Sequence, residues 1–227
     1  LRALCPDAVF SDVAYLPLAG AAAADIPSLA LCSLNWADLF HHHFGAEPWA
    51  APIHAAMLAA YRSSHNFLRT TPGMAMTALT NLDSVGPVAT RIPADRASLA
   101  SRLCLPAGRR WVLVALGGFD LPLPAANWPS REDILWLLPA TWGVNRADVY
   151  SFDDATPFPE LFACADAALA KPGYGTFVEA AVQQVPLLYL RRPDWPEEAC
   201  LTEWMHRHGR ARELSREEAE SGALLPA

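Results

Sequence analysis

Short apolar runs, among them WVLVAL at 111–116, AALA at 167–170 and PLLYL at 186–190, recur between stretches with helical spacing, and nothing else in the sequence restricts its fold so strongly. A strand written almost wholly in apolar residues must be covered on both faces, and helices alternating with such strands supply that cover for a parallel sheet. The runs predict strands over 8–11, 28–34, 66–70, 111–116, 149–152, 167–170 and 186–190. Helices are expected over 16–24, 48–63, 131–138, 159–165, 176–184 and 196–208. The clearest is 176–184, where Phe177, Ala181 and Val185 recur at i, i+4 and i+8 beside Val178 and Val182 to give one apolar face. Between Thr70 and Arg91 the text TPGMAMTALTNLDSVGPVATR has no sustained period and reads as an interdomain crossing. Residues 1–88 then hold about half the strands of a doubly wound domain, and residues 89–227 hold enough for a complete one. The charged tail 212–220 reads as a solvated helix.

Composition removes several functional classes. With 227 residues, 52% of them hydrophobic, the chain can bury a sizeable core. No apolar run reaches the roughly 18 to 20 residues of a membrane span, and no secretory signal is visible. The net charge is −7 and both halves are acidic, so neither has the basic excess that nucleic acid binding requires. The five cysteines are widely spaced with no C-x-x-C pair, the pattern of reduced, buried thiols in a cytoplasmic protein. The chain starts at Leu1 in what reads as the end of a helix, so an upstream portion is expected.

The chain has a single lysine, Lys171, and it precedes the glycine-rich turn KPGYGT between an apolar strand and a helix. Glycines at such a junction let backbone come close to a ligand, while the first-turn amides and the helix dipole attract anionic oxygen. Gly173 and Gly175 fill that position, and Lys171 either adds a point charge or snorkels from a strand end. Thr176 and Glu179 spell a capping box, T-x-x-E; alternatively the Glu179 carboxylate faces a cleft and accepts hydrogen bonds from a ribose diol. Gly117 and Gly118 close the run WVLVALGG as a second place of close approach or as a plain turn. Asp12 follows an apolar strand at the edge where such sheets hold ligands, or caps the next helix. Successive side chains of His41-His42-His43 diverge on helix and strand alike, which argues against a metal site. No serine lies in a G-x-S-x-G elbow. Trp36, Trp49, Trp128 and Trp195 stand in loop-like contexts, where they either stack on a sugar or pack in a core.

Taken as blocks, LAKPGYGTFVEAAVQQVPLLYLRRPDWPEEACL and VLVALGG resemble the C-terminal, donor-binding domain of GT-B glycosyltransferases. The likeness extends to bacterial proteins of the peptidoglycan N-acetylglucosaminyltransferase group and to the glycosyltransferase-like region of plant arabinose kinases. The stretch PDAVFSDVAYLPLAGAAAADIPSLALCSLNWADLF is similar to the latter half of the matching N-terminal domain. This resemblance implies an α/β chain of two Rossmann-like domains with parallel sheets facing a cleft, the first (1–88) incomplete and the second (89–227) binding the donor. It further implies that Gly117 and Gly118 lie near the phosphates, that Gly173, Tyr174, Gly175 and Thr176 seat the diphosphate beside Lys171, and that Glu179 holds the ribose. Glu197 and Glu198 fall where related enzymes touch the donor sugar with an acid–amide or paired-amide motif, so the double glutamate departs from the pattern. Asp12 matches an aspartate that orients a catalytic histidine, which would lie upstream of Leu1.

The function so implied is hexosyl or N-acetylhexosaminyl transfer from a nucleotide-diphosphate donor, of UDP type, to an unknown acceptor. In that scheme a general base deprotonates the acceptor and helix-end amides replace a metal at the leaving diphosphate. No cofactor is expected beyond the nucleotide sugar, which is the substrate. The rival readings are a non-catalytic nucleotide-sugar sensor and a nucleotide-sugar isomerase of the same fold. A dinucleotide-dependent oxidoreductase is disfavoured, because no G-x-G-x-x-G precedes an acid about 20 residues later.

Overall fold

The computed structural model describes residues 3–117 and 123–224. The chain divides into two compact units, Leu1–Val88 with Asp194–Leu201, and Ala89–Pro193 with Thr202–Ala227. The second stretch of the first unit was not foreseen: the sequence suggested one crossing near residue 88, whereas the chain returns to the first unit after its ninth strand.

In the first unit, β1 (Val9–Asp12), β2 (Ser28–Cys32), β3 (Asn66–Thr70) and β4 (Leu82–Val85) form a four-stranded sheet in that order. Every pairing is parallel. Helix α1 (Tyr15–Ala23) joins β1 to β2, and α2 (Trp36–Phe44) and α3 (Ala50–Arg62) join β2 to β3. Strand β4 lies inside the aperiodic stretch read as a crossing; its sequence LDSV has too little apolar character to announce a strand, and pairing with β3 decides the matter. Leu18, Ala30, Met57, Tyr61 and Phe67 are the core.

Tyr61 is fully buried, and its hydroxyl donates to the Val13 carbonyl (2.6 Å) and accepts from the Trp36 amide (3.1 Å). Val13 has φ of 58°, an uncommon conformation for a β-branched residue, so Tyr61 secures a strained turn directly after β1. Asn35 starts α2 by accepting from the Asp38 amide at 2.8 Å.

The second unit holds a six-stranded parallel sheet in the order β10-β9-β8-β5-β6-β7. The strands are β5 (Arg110–Ala115), β6 (Ile134–Pro139), β7 (Val149–Phe152), β8 (Ala167–Ala170), β9 (Leu187–Leu190) and β10 (Ala211–Leu214). Its helices are α4 (Arg96–Arg102), α5 (Phe158–Cys164), α6 (Tyr174–Gln183), α8 (Arg216–Ser221) and most of α7 (Glu198–His208), whose first residues belong to the returning stretch. Val112, Val114, Ile134, Trp136, Leu138 and Leu169 form the core with Trp128. The Arg96 guanidinium lies 4.2 Å from the Trp111 ring centroid and pairs with Asp166 at 2.7 Å, tying α4 to the start of β5.

Two expectations fail here. The helix read over 131–138 is strand β6: the first five residues of ILWLLP are all buried, which a two-faced sheet satisfies and an amphipathic helix does not. The tail read as one solvated helix contains β10 at the sheet edge, followed by the short α8. Of the thiols only Cys164 is buried, while Cys5 and Cys104 are exposed. No helix among the described residues is long and apolar enough to cross a membrane.

Candidate functional site

Strand order locates the candidate site. From β5 the chain proceeds through β6 to β7 on one side, then returns to place β8 against the other edge of β5 and continues to β9 and β10. Progression therefore reverses between β5 and β8, and parallel sheets bind ligands beyond the carboxyl ends of the strands flanking such a reversal. Ala115 pairs with Ala170, so the residues that leave the sheet there, Gly117 after β5 and Lys171 after β8, emerge side by side.

Gly117 has φ of 64°, the left-handed region that favours glycine. A Cβ on it would stand 3.8 Å from Lys171 Cε and 4.0 Å from Nζ. Partial burial, and after it the nearby Arg192 guanidinium, pull the Lys171 ammonium below its ordinary range. Arg192 follows β9, and its Nη1 donates to the Pro172 carbonyl at 3.4 Å.

Helix α6 opens immediately after Lys171. Its N-cap is Gly173, with no side-chain cap, and intrahelical bonding starts with the Phe177 amide donating to the Gly173 carbonyl at 3.1 Å. The first helical turn is Tyr174, Gly175 and Thr176, so the helix begins two residues earlier than the spacing suggested. Thr176 is then inside the helix, and the capping box expected from Thr176 and Glu179 does not form. A complete capping box exists elsewhere, between Ser215 and Glu218 at the start of α8. A Cβ on Gly175 would meet nothing within 4 Å and one on Gly173 only the Lys171 carbonyl at 4.0 Å. Protein packing thus does not demand glycine at these two places; its absence of side chain leaves the space over the helix start open.

A cavity of about 510 Å³ adjoins Gly117 along the carboxyl ends of β5, β6 and β7. Its walls include Leu116, Gly117, Thr141, Trp142, Phe152 and Asp153. The Asp153 carboxylate accepts from the Ala155 amide and the Thr156 hydroxyl, both at 3.1 Å, and fixes the turn after β7. The sequence reading missed this aromatic-walled cavity. Its signal was Phe152 at a strand end, whereas the tryptophans singled out lie elsewhere. Trp128 is buried against Trp136, the Trp195 indole donates to Glu197, and Trp36 and Trp49 are exposed in the first unit.

The remaining expected residues are dispersed. Glu179 lines a second cavity, about 270 Å³, with Thr90, Ile92, Pro159, Phe162 and Gln183. Although Glu179 is an exposed residue, partial desolvation by this wall raises its carboxyl above the usual range. Glu197 and Glu198 are buried in the stretch that belongs to the first unit. The Glu197 carboxylate accepts from the Ser33 hydroxyl and, at 3.0 Å, from the Trp195 indole. Burial, then the adjacent Glu197, pushes the Cys200 thiol up to about 11, which leaves it a poor nucleophile. Asp12 is exposed at the carboxyl end of β1; Ala14, not Asp12, holds the N-cap position of α1. His41, His42 and His43 end α2, and among the described residues no three metal-ligating side chains converge. Gly118 lies outside the described residues.

No family model matches the sequence. A curated relative, L-arabinokinase of Arabidopsis thaliana, is 25% identical over 241 positions, spanning 100% of this chain and 22% of its own length. The glycosyltransferase of kitacinnamycin superposes with a TM-score of 0.63 at 17% identity, covering 95% of this chain and 65% of its own. The glycosyltransferase SnogD from Streptomyces nogalater gives 0.54 at 22% identity, over 98% and 66%. An Arabidopsis thaliana protein complexed with UDP-L-rhamnose gives 0.60 at 14% identity, over 94% and 60%. The chain therefore spans about a fifth of the curated relative and somewhat under two thirds of the first of these structures. The likeness shows the fold: α/β, with two parallel sheets of the kind found in GT-B glycosyltransferases.

Proposed function

We propose that the second unit binds a nucleotide-diphosphate sugar, and that the protein transfers the sugar to an acceptor hydroxyl. One observation carries the reading: an aromatic-walled cavity reaches Gly117, and Gly117 lies beside Lys171, which precedes a helix start with no side-chain cap at the reversal point of a parallel sheet. The base is assigned to the cavity, while Lys171 and the amides of the first turn of α6 take the diphosphate. As the glycosidic bond breaks, negative charge grows on the leaving diphosphate, and these groups stabilise it where it develops. A UDP-type donor is favoured by the neighbour that holds UDP-L-rhamnose. Glu179 is assigned to the ribose, Glu198 to the sugar, and Asp12 to the orientation of a general base. A hexosyl or N-acetylhexosaminyl donor and a metal-free reaction complete the proposal.

A second reading, a nucleotide-sugar-binding module without catalysis, gains support from Glu197. Its carboxylate is committed to Ser33 and Trp195, although it stands where related enzymes are expected to touch the sugar. A thermal-shift panel of UDP, GDP, dTDP and NAD tests the shared premise. Ligand at about a hundredfold its Kd adds about 2.7 kcal/mol to the state that binds it, which for a domain of this size raises Tm by roughly 5–10 °C. A shift with NAD alone would refute both readings. Release of nucleoside diphosphate from the donor then separates enzyme from module.

A further inference from the structure

The corner between α2 and α3 is held differently from the rest of the first unit. Asn35 caps the start of α2, and Ala37 and Leu39 bury its first turn. Met57, Leu58, Ala60 and Tyr61 bury the second half of α3. Between these anchors every residue from His41 to Trp49 is exposed, and in the first half of α3 only Ala50 is buried. Ring contacts close the corner instead. Phe40, Phe44 and Trp49 form a triangle with centroid separations of 5.3, 5.7 and 6.0 Å. His41 of α2 stacks on His54 of α3, with centroids 4.8 Å apart and planes 24° from parallel. A Cβ on Gly45 would stand 2.6 Å from His41 Nδ1, so the glycine that ends α2 leaves room for this ring.

Neutral imidazoles tolerate such a stack, whereas two imidazolium rings at this separation repel. Partial desolvation of His54, and after it the His41 ring, pull its basicity below the ordinary histidine range. Asp38 on α2 opposes this, and Arg62 on α3 adds to it. Nearby, α2 also carries the exposed His42 and His43, and the connecting turn carries the exposed Glu47. Helix α1, packed on α3, has Tyr15 as its one titratable side chain. Strand β3 contributes Arg69, which is committed to the Met74 and Ala75 carbonyls and the Ser84 hydroxyl. The closed corner therefore binds fewer protons than the open one. Its stability is complete above about pH 6.5, the ordinary histidine value, and declines as pH falls below it.

We propose that the His41–His54 stack is an acid-released latch: on acidification it frees the corner between α2 and α3 and uncovers the aromatic triangle, while the sheet of the first unit stays paired. The latch is independent of nucleotide binding. Opening is local because both helices keep their buried anchors, and a segment with few buried apolar contacts opens at less cost than the whole unit.

The test is hydrogen exchange of the whole chain, corrected for the pH dependence of free amides, from about pH 7.5 to about pH 5.0, across the ordinary histidine range. Protection of residues 42–54 should fall several-fold while β2 and β3 hold theirs. His54→Gln should abolish the fall, His41→Gln should reduce it, and His42→Gln should leave it in place. No fall in the unaltered chain, the same fall in His54→Gln, a fall shared by β2 and β3, or its loss in His42→Gln would each overturn the latch. NMR titration of the imidazole carbons gives a second readout that does not depend on opening. His54 should titrate at lower pH than an exposed histidine, and its midpoint should rise in His41→Gln; a midpoint indifferent to that change would refute the pairing.

Discussion

Replacing Gly117 separates backbone strain from ligand approach. At φ of 64° an alanine incurs the left-handed penalty of about 1–2 kcal/mol. Its methyl, 3.8 Å from Lys171 Cε, makes ordinary contact, so no clash adds to that figure. For a chain of this size each kcal/mol moves Tm by about 2–4 °C, and Gly117→Ala should therefore unfold roughly 2–8 °C lower. Asparagine tolerates the left-handed region much better, so Gly117→Asn should lose less stability despite its larger side chain. Binding should rank the other way: asparagine occupies more of the space beside Lys171 and should weaken UDP more than alanine does. Scanning fluorimetry without ligand and calorimetry with UDP measure the two quantities on the same samples. If asparagine is as destabilising as alanine, the conformational argument is wrong. If neither variant changes UDP affinity, Gly117 does not border the ligand.

Lys171→Met should weaken UDP by roughly 10- to 100-fold, the 1.5–3 kcal/mol typical of a hydrogen bond to a charged group. The affinity of the unaltered chain should also fall as pH rises toward the depressed basicity of Lys171, a decline that Lys171→Met removes; equal pH profiles would refute the contact. Glu179→Gln should leave Tm at pH 7 unchanged or higher. Burial raises this carboxyl in the fold, so its contribution is complete below the ordinary glutamate range and is lost as pH rises through the raised value. UDP should nonetheless bind several-fold more weakly to Glu179→Gln, and full affinity would remove the ribose role. Asp148→Ala should cost about 3–5 kcal/mol by urea unfolding, because it strands the Arg146 guanidinium, only 16% exposed. Burial works to raise Asp148, but the Arg146 hydrogen bonds prevail and hold it low. Its stabilisation is present above about pH 3.9 and lost below, toward the lower folded value, so the variant should show a flatter acid limb.

Sequence legibility followed the strength of each local signal. Strands β5, β8 and β9 stood out because residues buried on both sheet faces leave unbroken apolar runs, and the positions of Gly117 and Lys171 just beyond their carboxyl ends were legible with them. Strand β6 was misread because Arg131, Glu132 and Asp133 precede it and imitate the charged first turn of a helix. Strands β4 and β10, at sheet edges, carry Asp83, Ser84, Arg212 and Glu213 toward solvent, and only pairing reveals them. The start of α6 was displaced because the Thr176–Glu179 spacing imitates a capping motif that Gly173 renders unnecessary. The contact of Arg192 with the loop after β8 escaped notice because it comes from β9 lying beside β8, a neighbourhood that spacing along the chain does not express.

The return of Asp194–Leu201 to the first unit bears on how the protein could be rebuilt from parts. A chimaera made by exchanging everything after residue 88 would import a foreign counterpart of this stretch while keeping the resident Ser33. The glutamate at 197, 3% exposed, depends on that serine, and a graft without a matching hydroxyl would bury an acid lacking one of its donors. Modular exchange in this fold therefore needs two cuts around the returning stretch, or a serine transplanted with it.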